Sequence, residues 1–425
     1  MDLEGKKLLI LGGTYPSCEI IKQAKKQGIY VLVTDYLEES PGKKIADKSF
    51  MVSATDVEAV VKLIKEEKID GVLNLFTESL TAYYQSICEK AGIPCYTTKE
   101  QVDILNNKMR FKELCRTFDV PVVEDYKINY PFTLQDIKYI SYPVLIKPVD
   151  SSGGRGIHIC KSPNELLNNY EKSLSFSSSK KVLVERYMAA KEANIDYIIQ
   201  NGEICLCAMS DRYIRNMYDG MIPLPVAHSF PSKHLKRYQE TLNSKVIAMF
   251  KSIGLKNGYL FIQSFVENGN FVFHEMGFRL SAAMEHKIIS KLNGINLIEM
   301  MINQALTGTM YEKSNKPLVN PNYQEWGCNL QYLVKPGKIG SIVGVDEVNS
   351  LERVIDVILN YSEGDVIPES AIGTVIQVVL RVLATVKTKK EIAKLMDKIH
   401  GFIKVYSVNG DNMLLDVFDT NELFD

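Results

Sequence analysis

The 425-residue chain has almost no net charge: 50 lysines and arginines stand against 51 aspartates and glutamates, a formal balance of -1. Without an excess of one sign there is no global electrostatic footprint for nucleic acid or for an anionic membrane. No apolar run reaches bilayer-spanning length, and the opening MDLEGKKLLI lacks the layout of a secretory leader. The expectation is a cytoplasmic protein that partners neither nucleic acid nor membrane. Eight cysteines are scattered without zinc spacing, and Cys205 and Cys207 form a C-x-C that a strand would place on one face. Reduced thiols fit that compartment. The six histidines do not cluster at metal spacing, and no Ser/His/Asp or Cys/His set declares itself. No G-x-x-x-x-G-K-[ST] loop is present. The one tryptophan, Trp326, reads as packing, and there is no internal repeat.

What the chain does have centres on residues 142–159, YPVLIKPVDSSGGRGIHI. An apolar run (Val144, Leu145, Ile146) delivers Lys147 and a proline. Ser151, Ser152, Gly153, Gly154, Arg155 and Gly156 follow, and then a second alternation through Ile157 and Ile159. The pattern is strand, glycine-rich turn, strand. Glycines let the backbone approach a ligand closely, and successive N–H groups can form a concave anion site. A lysine at the strand end adds a compact charge for the same anion. Taken alone, an ordinary hairpin with a surface lysine weighs equally.

The first hundred residues alternate strand and helix as an open parallel sheet. Strands fall near 6–13, 29–34, 49–52 and 70–75, with helices between them and from 80 to 91. Gly12 and Gly13, with Asp35 about twenty residues later, suggest a dinucleotide fold, but Thr14, Tyr15, Pro16 and Ser17 supply no third glycine. A nicotinamide-dependent oxidoreductase is therefore a minor alternative. Residues 101–118 read as one helix carrying Asn106, Asn107 and Lys108. Residues 173–181 read as a serine-rich surface loop, and 181–187 as a strand whose end exposes Glu185. A hairpin follows over 194–209. Asp211, Arg212 and Arg215 fall in a proline-bounded polar loop, solvated by default. Strands at 258–266 and 270–276 bracket the turn Glu267-Asn268-Gly269, and Arg279 follows Glu275 by four residues. Period-two alternation sends His274 to the face opposite Glu275, a structural role. His286 beside Glu285 is a candidate for substrate handling. The last hundred residues hold short strands and one helix, 389–399.

In order and spacing these motifs resemble the ATP-grasp carboxylate–amine ligases, especially the biotin carboxylase and carbamoyl-phosphate synthetase branch. The resemblance implies an α/β chain in three parts. Residues 1–105 form a Rossmann-like domain, 106–310 a two-part nucleotide-binding α+β region with a lid over 122–184, and 311–425 a small α/β subdomain. It implies ATP and Mg2+ as cofactors. Lys108 and Lys147 would contact phosphate, with Ser151, Ser152, Gly153, Gly154 and Gly156 as the closing loop. Glu185, Arg186, Tyr187 and Met188 would lie along the adenine, with Glu192 on the ribose. Arg279, with Lys147, would be catalytic, and Glu275 with Gln263 would hold the metal. Two positions depart from the family: Gln263 stands where a carboxylate is usual, and Gly277 where an asparagine is. Magnesium favours hard oxygen ligands, so both departures weaken a two-ion site.

The resulting expectation is an ATP-dependent ligase that activates a carboxylate as an acyl phosphate for attack by an amine. Its partners are then a small carboxylate and a small amine, with a homodimer left open. Gln263 and Gly277 motivate the alternative of a degenerate relative that binds nucleotide in a regulatory or structural role.

Overall fold

A computed structural model describes residues 2–151, 154–218, 220–311 and 319–425. Strands β1 (Lys7–Leu11), β2 (Tyr30–Thr34), β3 (Lys48–Phe50) and β4 (Gly71–Leu73) form a parallel sheet in the order β3-β2-β1-β4. Its crossovers are α1 (Tyr15–Lys26), α2 (Pro41–Ile45) and α3 (Val57–Glu67), and α4 (Thr81–Ala91) closes the unit. Leu8, Leu9, Ile10 and Leu11 are all buried, as a continuous apolar run covered on both faces requires.

The expected helix over 101–118 is two helices, α5 (Lys99–Leu105) and α6 (Lys108–Thr117). Asn107 Oδ1 accepts from the N–H groups of Met109 and Arg110, so it caps a new helix rather than continuing the old one. That break aims Lys108 from the first turn of α6.

A small antiparallel sheet follows, in the order β5-β8-β6-β7, from β5 (Asp125–Tyr126), β6 (Val144–Pro148), β7 (His158–Cys160) and β8 (Val182–Arg186). Helix α7 (Pro163–Ser175) covers it, and its Leu166 and Tyr170 join Val144 and Ile146 in a core of their own. No element is expected over 161–172, so this helix is missed; it overlaps the expected loop at 173–175 only, and Ser162 caps its start by accepting from Glu165 N–H. The serine run itself is engaged: Ser177 Oγ, Ser178 Oγ and Ser179 N–H all donate to Asp150. Burial opposes ionisation of Asp150, but those donors prevail and hold its carboxyl down at about 2.

The framework of the remainder is an eight-stranded sheet. Its strands are β9 (Lys191–Gln200), β10 (Glu203–Arg215), β11 (Leu224–Phe230), β12 (Gly258–Glu267), β13 (Asn270–Gly277) and β14 (Trp326–Leu333), continued after β15 (Gly337–Val343) by β16 (Val354–Leu359) and, past β17 (Val366–Ile367), by β18 (Val378–Val386). The order is β13-β12-β9-β10-β11-β14-β18-β16. Strand β15 instead pairs with β17 and β19 (Lys404–Ser407). Asp211, Arg212 and Arg215 therefore lie on β10, not in a loop; the hairpin runs six residues past its expected end because β11 pairs with that extension.

Helices α8 (Leu235–Thr241) and α9 (Asn243–Ser252) back this sheet, and Tyr197 of β9 reaches Tyr238 and Asn243 through its hydroxyl. After β13 come α10 (His286–Asn293) and α11 (Leu297–Thr307). Lys287 at the start of α10 pairs with Glu19 of α1 at 2.9 Å and Asp356 of β16 at 2.6 Å, joining three segments far apart in sequence. The chain ends with α12 (Val345–Asn349) and α13 (Lys389–Phe402) around the last sheet. Among the described residues no helix is long and apolar enough to cross a membrane.

Candidate functional site

The small sheet faces the eight-stranded sheet across a cavity of about 860 Å³. Lys147, buried at the end of β6, enters it from the side of the small sheet, and its Nζ lies 2.6 Å from Glu185 Oε2. The other oxygen of Glu185 takes Lys112 Nζ, also at 2.6 Å. Glu185 is only 2% exposed, which corrects its reading as a solvated strand end. Strands β6 and β8 pair Leu145 with Glu185, and α6 closes over them, so the carboxylate is enclosed between two lysines. Lys112 also reaches Asp125 at 3.1 Å, and Asp125 pairs with Arg116. Burial raises the Asp125 pKa, but Lys112 and Arg116 outweigh it and the net shift is downward. Lys147 and Glu185 line the cavity while Lys112, Asp125 and Arg116 do not, so the cluster holds Lys147 in place at the wall.

Lys108 donates to the Ser151 carbonyl at 2.7 Å, tying α6 to the start of the glycine loop. Ser152 and Gly153 lie outside the described residues. Gly154 and Gly156 have φ of +79° and +73°, the left-handed region that favours glycine. At Gly156 a Cβ would lie 2.9 Å from the Phe176 ring, so no larger residue fits without displacing it.

Arg186, Tyr187 and Met188 line the cavity after β8. The Arg186 N–H is taken by the Glu124 carbonyl and the Tyr187 N–H by the Pro143 carbonyl. The N–H groups of Met188, Ala189 and Ala190, which also line the cavity, have no backbone acceptor among the described residues. The Arg186 guanidinium itself turns to Glu267 at 3.1 Å. Glu192 of β9 stands directly opposite Arg212 of β10 and pairs with it.

At the other wall Gln263 of β12 and Glu275 of β13 are register partners, and both line the cavity. A register shift between Gln263 and Ser264 leaves His274 in a bulge. Alternation fails at a bulge, so His274 lines the same cavity instead of facing away from Glu275. Its ring lies 4.4 Å from that of Phe265 between centroids, and burial drives its pKa well below the usual imidazole value. Among the described residues no three acidic, histidine or cysteine side chains are grouped for a metal ion. One carboxylate and one amide oxygen suit Mg2+ that brings phosphate oxygens and waters of its own.

The structure accounts for Gly277. It pairs directly with Phe261 across β12 and β13, and a Cβ on it would fall 2.7 Å from two ring carbons. The ring fills the place where an asparagine side chain would start, and the Arg279 guanidinium sits 5.3 Å from the same ring centroid. Arg279 also pairs with Glu78 at 2.9 Å and donates to the Leu280 carbonyl.

Lys112, Glu78, His228 and Arg381 are the site residues that sequence reasoning missed. Lys112 was findable one helical turn beyond Lys108, and Arg381 as a lone charge within VVLRVLATV. Asp35 is spoken for: Oδ2 accepts from Gly13 N–H at 2.7 Å and Oδ1 from Leu37 N–H. It braces the first turn rather than waiting for a ribose, and nothing here favours the nicotinamide reading.

Residues 107–313 match the family described as carbamoyl-phosphate synthase L chain, ATP binding domain. The chain is 24% identical to the 2-oxoglutarate carboxylase small subunit of Hydrogenobacter thermophilus, over 71% of this chain and 66% of that one. It is also 24% identical to the carbamoyl phosphate synthase large chain of Clostridium botulinum, over 70% of this chain but 29% of that one. The chain thus spans just under two thirds of the first relative and under a third of the second. Among solved structures, the L-amino acid ligase of Bacillus licheniformis superposes with a TM-score of 0.75 at 17% identity, covering 95% of this chain and 99% of that one.

Proposed function

Because the chain carries the ATP-grasp fold, with a carbamoyl-phosphate-synthase-type ATP-binding domain matched over 107–313, we propose that it is an ATP-dependent ligase joining a carboxylate to an amine through an acyl phosphate. The observation that carries the reading is the Lys147–Glu185–Lys112 cluster under a glycine loop, across one cavity from Glu275 and Arg279. Phosphoryl transfer asks mainly for positioning and charge stabilisation, and these residues supply both. Lys108 and Lys147 neutralise phosphate charge, while Glu185 keeps Lys147 aimed along its strand. Arg279 meets the charge that develops on the carboxylate. Ser151, Gly154 and Gly156 close over the nucleotide and exclude water. Met188 N–H reads the base edge and Glu192 accepts from the ribose. Glu275 and the Gln263 amide oxygen would hold one Mg2+, which neutralises the triphosphate when bound. The division at 105/106 and 310/311 belongs to the same proposal.

Purified protein incubated with ATP, Mg2+ and pooled carboxylates and amines should release ADP only when both substrate classes are present. Failure of MgATP to raise the melting temperature would overturn the reading. The ring of Phe261 over Gly277 favours a second reading, a nucleotide-binding protein without turnover. MgATP stabilisation with no ADP release from any pool would establish that one instead.

A further inference from the structure

The cavity does not end at the nucleotide. Beyond Arg279 it is lined by Glu285, which precedes α10, by His228 of β11, by Gln331 of β14 and by Arg381 of β18. Each of the four is at least nine-tenths buried. Burying an ion without a partner is costly, yet Arg381 Nε, Glu285 Oε2 and Gln331 Nε2 have no partner among the described residues.

The register places these groups together. Asn329 of β14 donates to Glu285 Oε1 at 3.4 Å and stands opposite His228, whose Nε2 is 3.7 Å from the same oxygen. Two residues on and on the same face, Gln331 stands opposite Arg381. Arg381 is therefore one strand over and one side-chain step along from the anchor of Glu285. The two charges influence one another, since Glu285 partly offsets the burial that pulls Arg381 down to about 10. No direct ion pair joins them among the described residues. His228 does not neutralise Glu285, because burial drives its pKa well below the imidazole range and leaves it uncharged.

A cation and an anion, both buried and both short of a partner on the same cavity wall, are complementary to a ligand that carries one charge of each sign close together. We propose that this end of the cavity is the subsite of the amine substrate, and that this substrate is a compact amino acid held with its carboxylate on Arg381 and its ammonium on Glu285. The inference rests on the ligase reading above. It assigns the orientation as well. Strand β18 stands six strand positions from β13 in the sheet order, about 29 Å of sheet at the usual spacing before curvature shortens it. The carboxylate on Arg381 is thus not the one activated beside Glu275. Glu285 reaches Asn329 of β14 and His228 of β11, one and two strand positions nearer β13 than Arg381, which puts the ammonium on the side of Glu275.

Calorimetric titration of the full chain, saturated with MgADP, tests this with the twenty protein amino acids. Each hit is compared with its des-amino acid and its decarboxylated amine, for alanine propionate and ethylamine. At least one amino acid should bind, with both truncated analogues at least tenfold weaker. Arg381→Met and Glu285→Gln should each weaken amino-acid binding at least tenfold, and Arg381→Lys by less, while all three keep the parent's MgATP-induced thermal shift as proof of folding. Equal binding of the truncated analogues, or parent-like affinity in folded variants, overturns the inference. A protein that shifts with MgATP but binds no amino acid overturns it alone, whereas one that shifts with neither overturns the ligase reading too.

Discussion

Replacing Gly277 by asparagine restores the family pattern on paper, and the packing around Phe261 says it will fail. The new Cβ would lie 2.7 Å from Cε1 and Cζ of the ring and 3.5 Å from Cδ1. Phe261 is buried, so the ring moves only by disturbing its neighbours. Overpacking of this kind costs about 1–3 kcal/mol. Moving the ring from under Arg279 forfeits about 0.5–1 kcal/mol of cation–π attraction as well. Gly277→Asn should therefore destabilise by about 2–4 kcal/mol. Phe261→Ala alone should cost about 3–5 kcal/mol through the lost ring. In the double variant the asparagine occupies the space the ring vacates, so the two costs should fall short of additivity by about 1–3 kcal/mol. Apparent melting temperatures of the four proteins give the ranking, and MgATP titration of each shows whether the asparagine then strengthens metal binding. Strictly additive effects, or a neutral Gly277→Asn, would refute the account of why glycine stands there.

Asp196, buried in β9 and held by Tyr259 at 2.7 Å, has its pKa raised to about 8 by burial, against the Tyr259 hydrogen bond. A carboxyl raised above its unfolded value stabilises below that value, and the contribution is lost as pH climbs to about 8. Asp196→Asn should thus flatten the fall in melting temperature between about pH 4 and 8, and an unchanged pH profile would refute it. Lys112→Met leaves Glu185 with one lysine, and opening a buried ion pair costs about 3–5 kcal/mol. It should lower the melting point and weaken MgATP binding together, and wild-type behaviour in both assays would count against the cluster. Gln263→Glu should tighten Mg2+ binding in the presence of ATP by adding an anionic oxygen. Glu275→Gln should abolish ADP release while leaving nucleotide stabilisation largely in place; Mg2+ titrations at fixed ATP and an ADP-release assay decide both.

Local pattern was enough for the elements whose partners are close in sequence. The glycine turn between β6 and β7, the β12–β13 hairpin and the alternating first domain all follow from periodicity and turn chemistry. Lys147 was legible because a strand and its stop point at it. Alternation could not foresee the bulge that turns His274 inward, because one extra residue reverses every face beyond it. Arg212 looked solvated only because the strand that covers it, β11, follows a proline-rich stretch. Glu78 and Arg381 lie 201 and 102 residues from Arg279, so their roles come from tertiary packing that no window reports. Asn106-Asn107 carried a cap signal that helical periodicity overrode.

The contact between Arg279 and Glu78 bears on rates as well as structure. Glu78 belongs to the parallel-sheet segment and Arg279 follows β13 on the cavity wall, and the pair is largely sheltered from solvent. An incoming acid that needs this guanidinium must exchange places with a resident carboxylate. Under the proposed function the first segment would act as a tethered competitor, present at constant effective concentration whatever the supply of acid. Weak acids would be turned away by it, and an acid that displaced Glu78 would also remove one tie between the two parts of the chain. The same ion pair would then couple acid selection to one of the contacts that dock the first segment, alongside Lys287–Glu19.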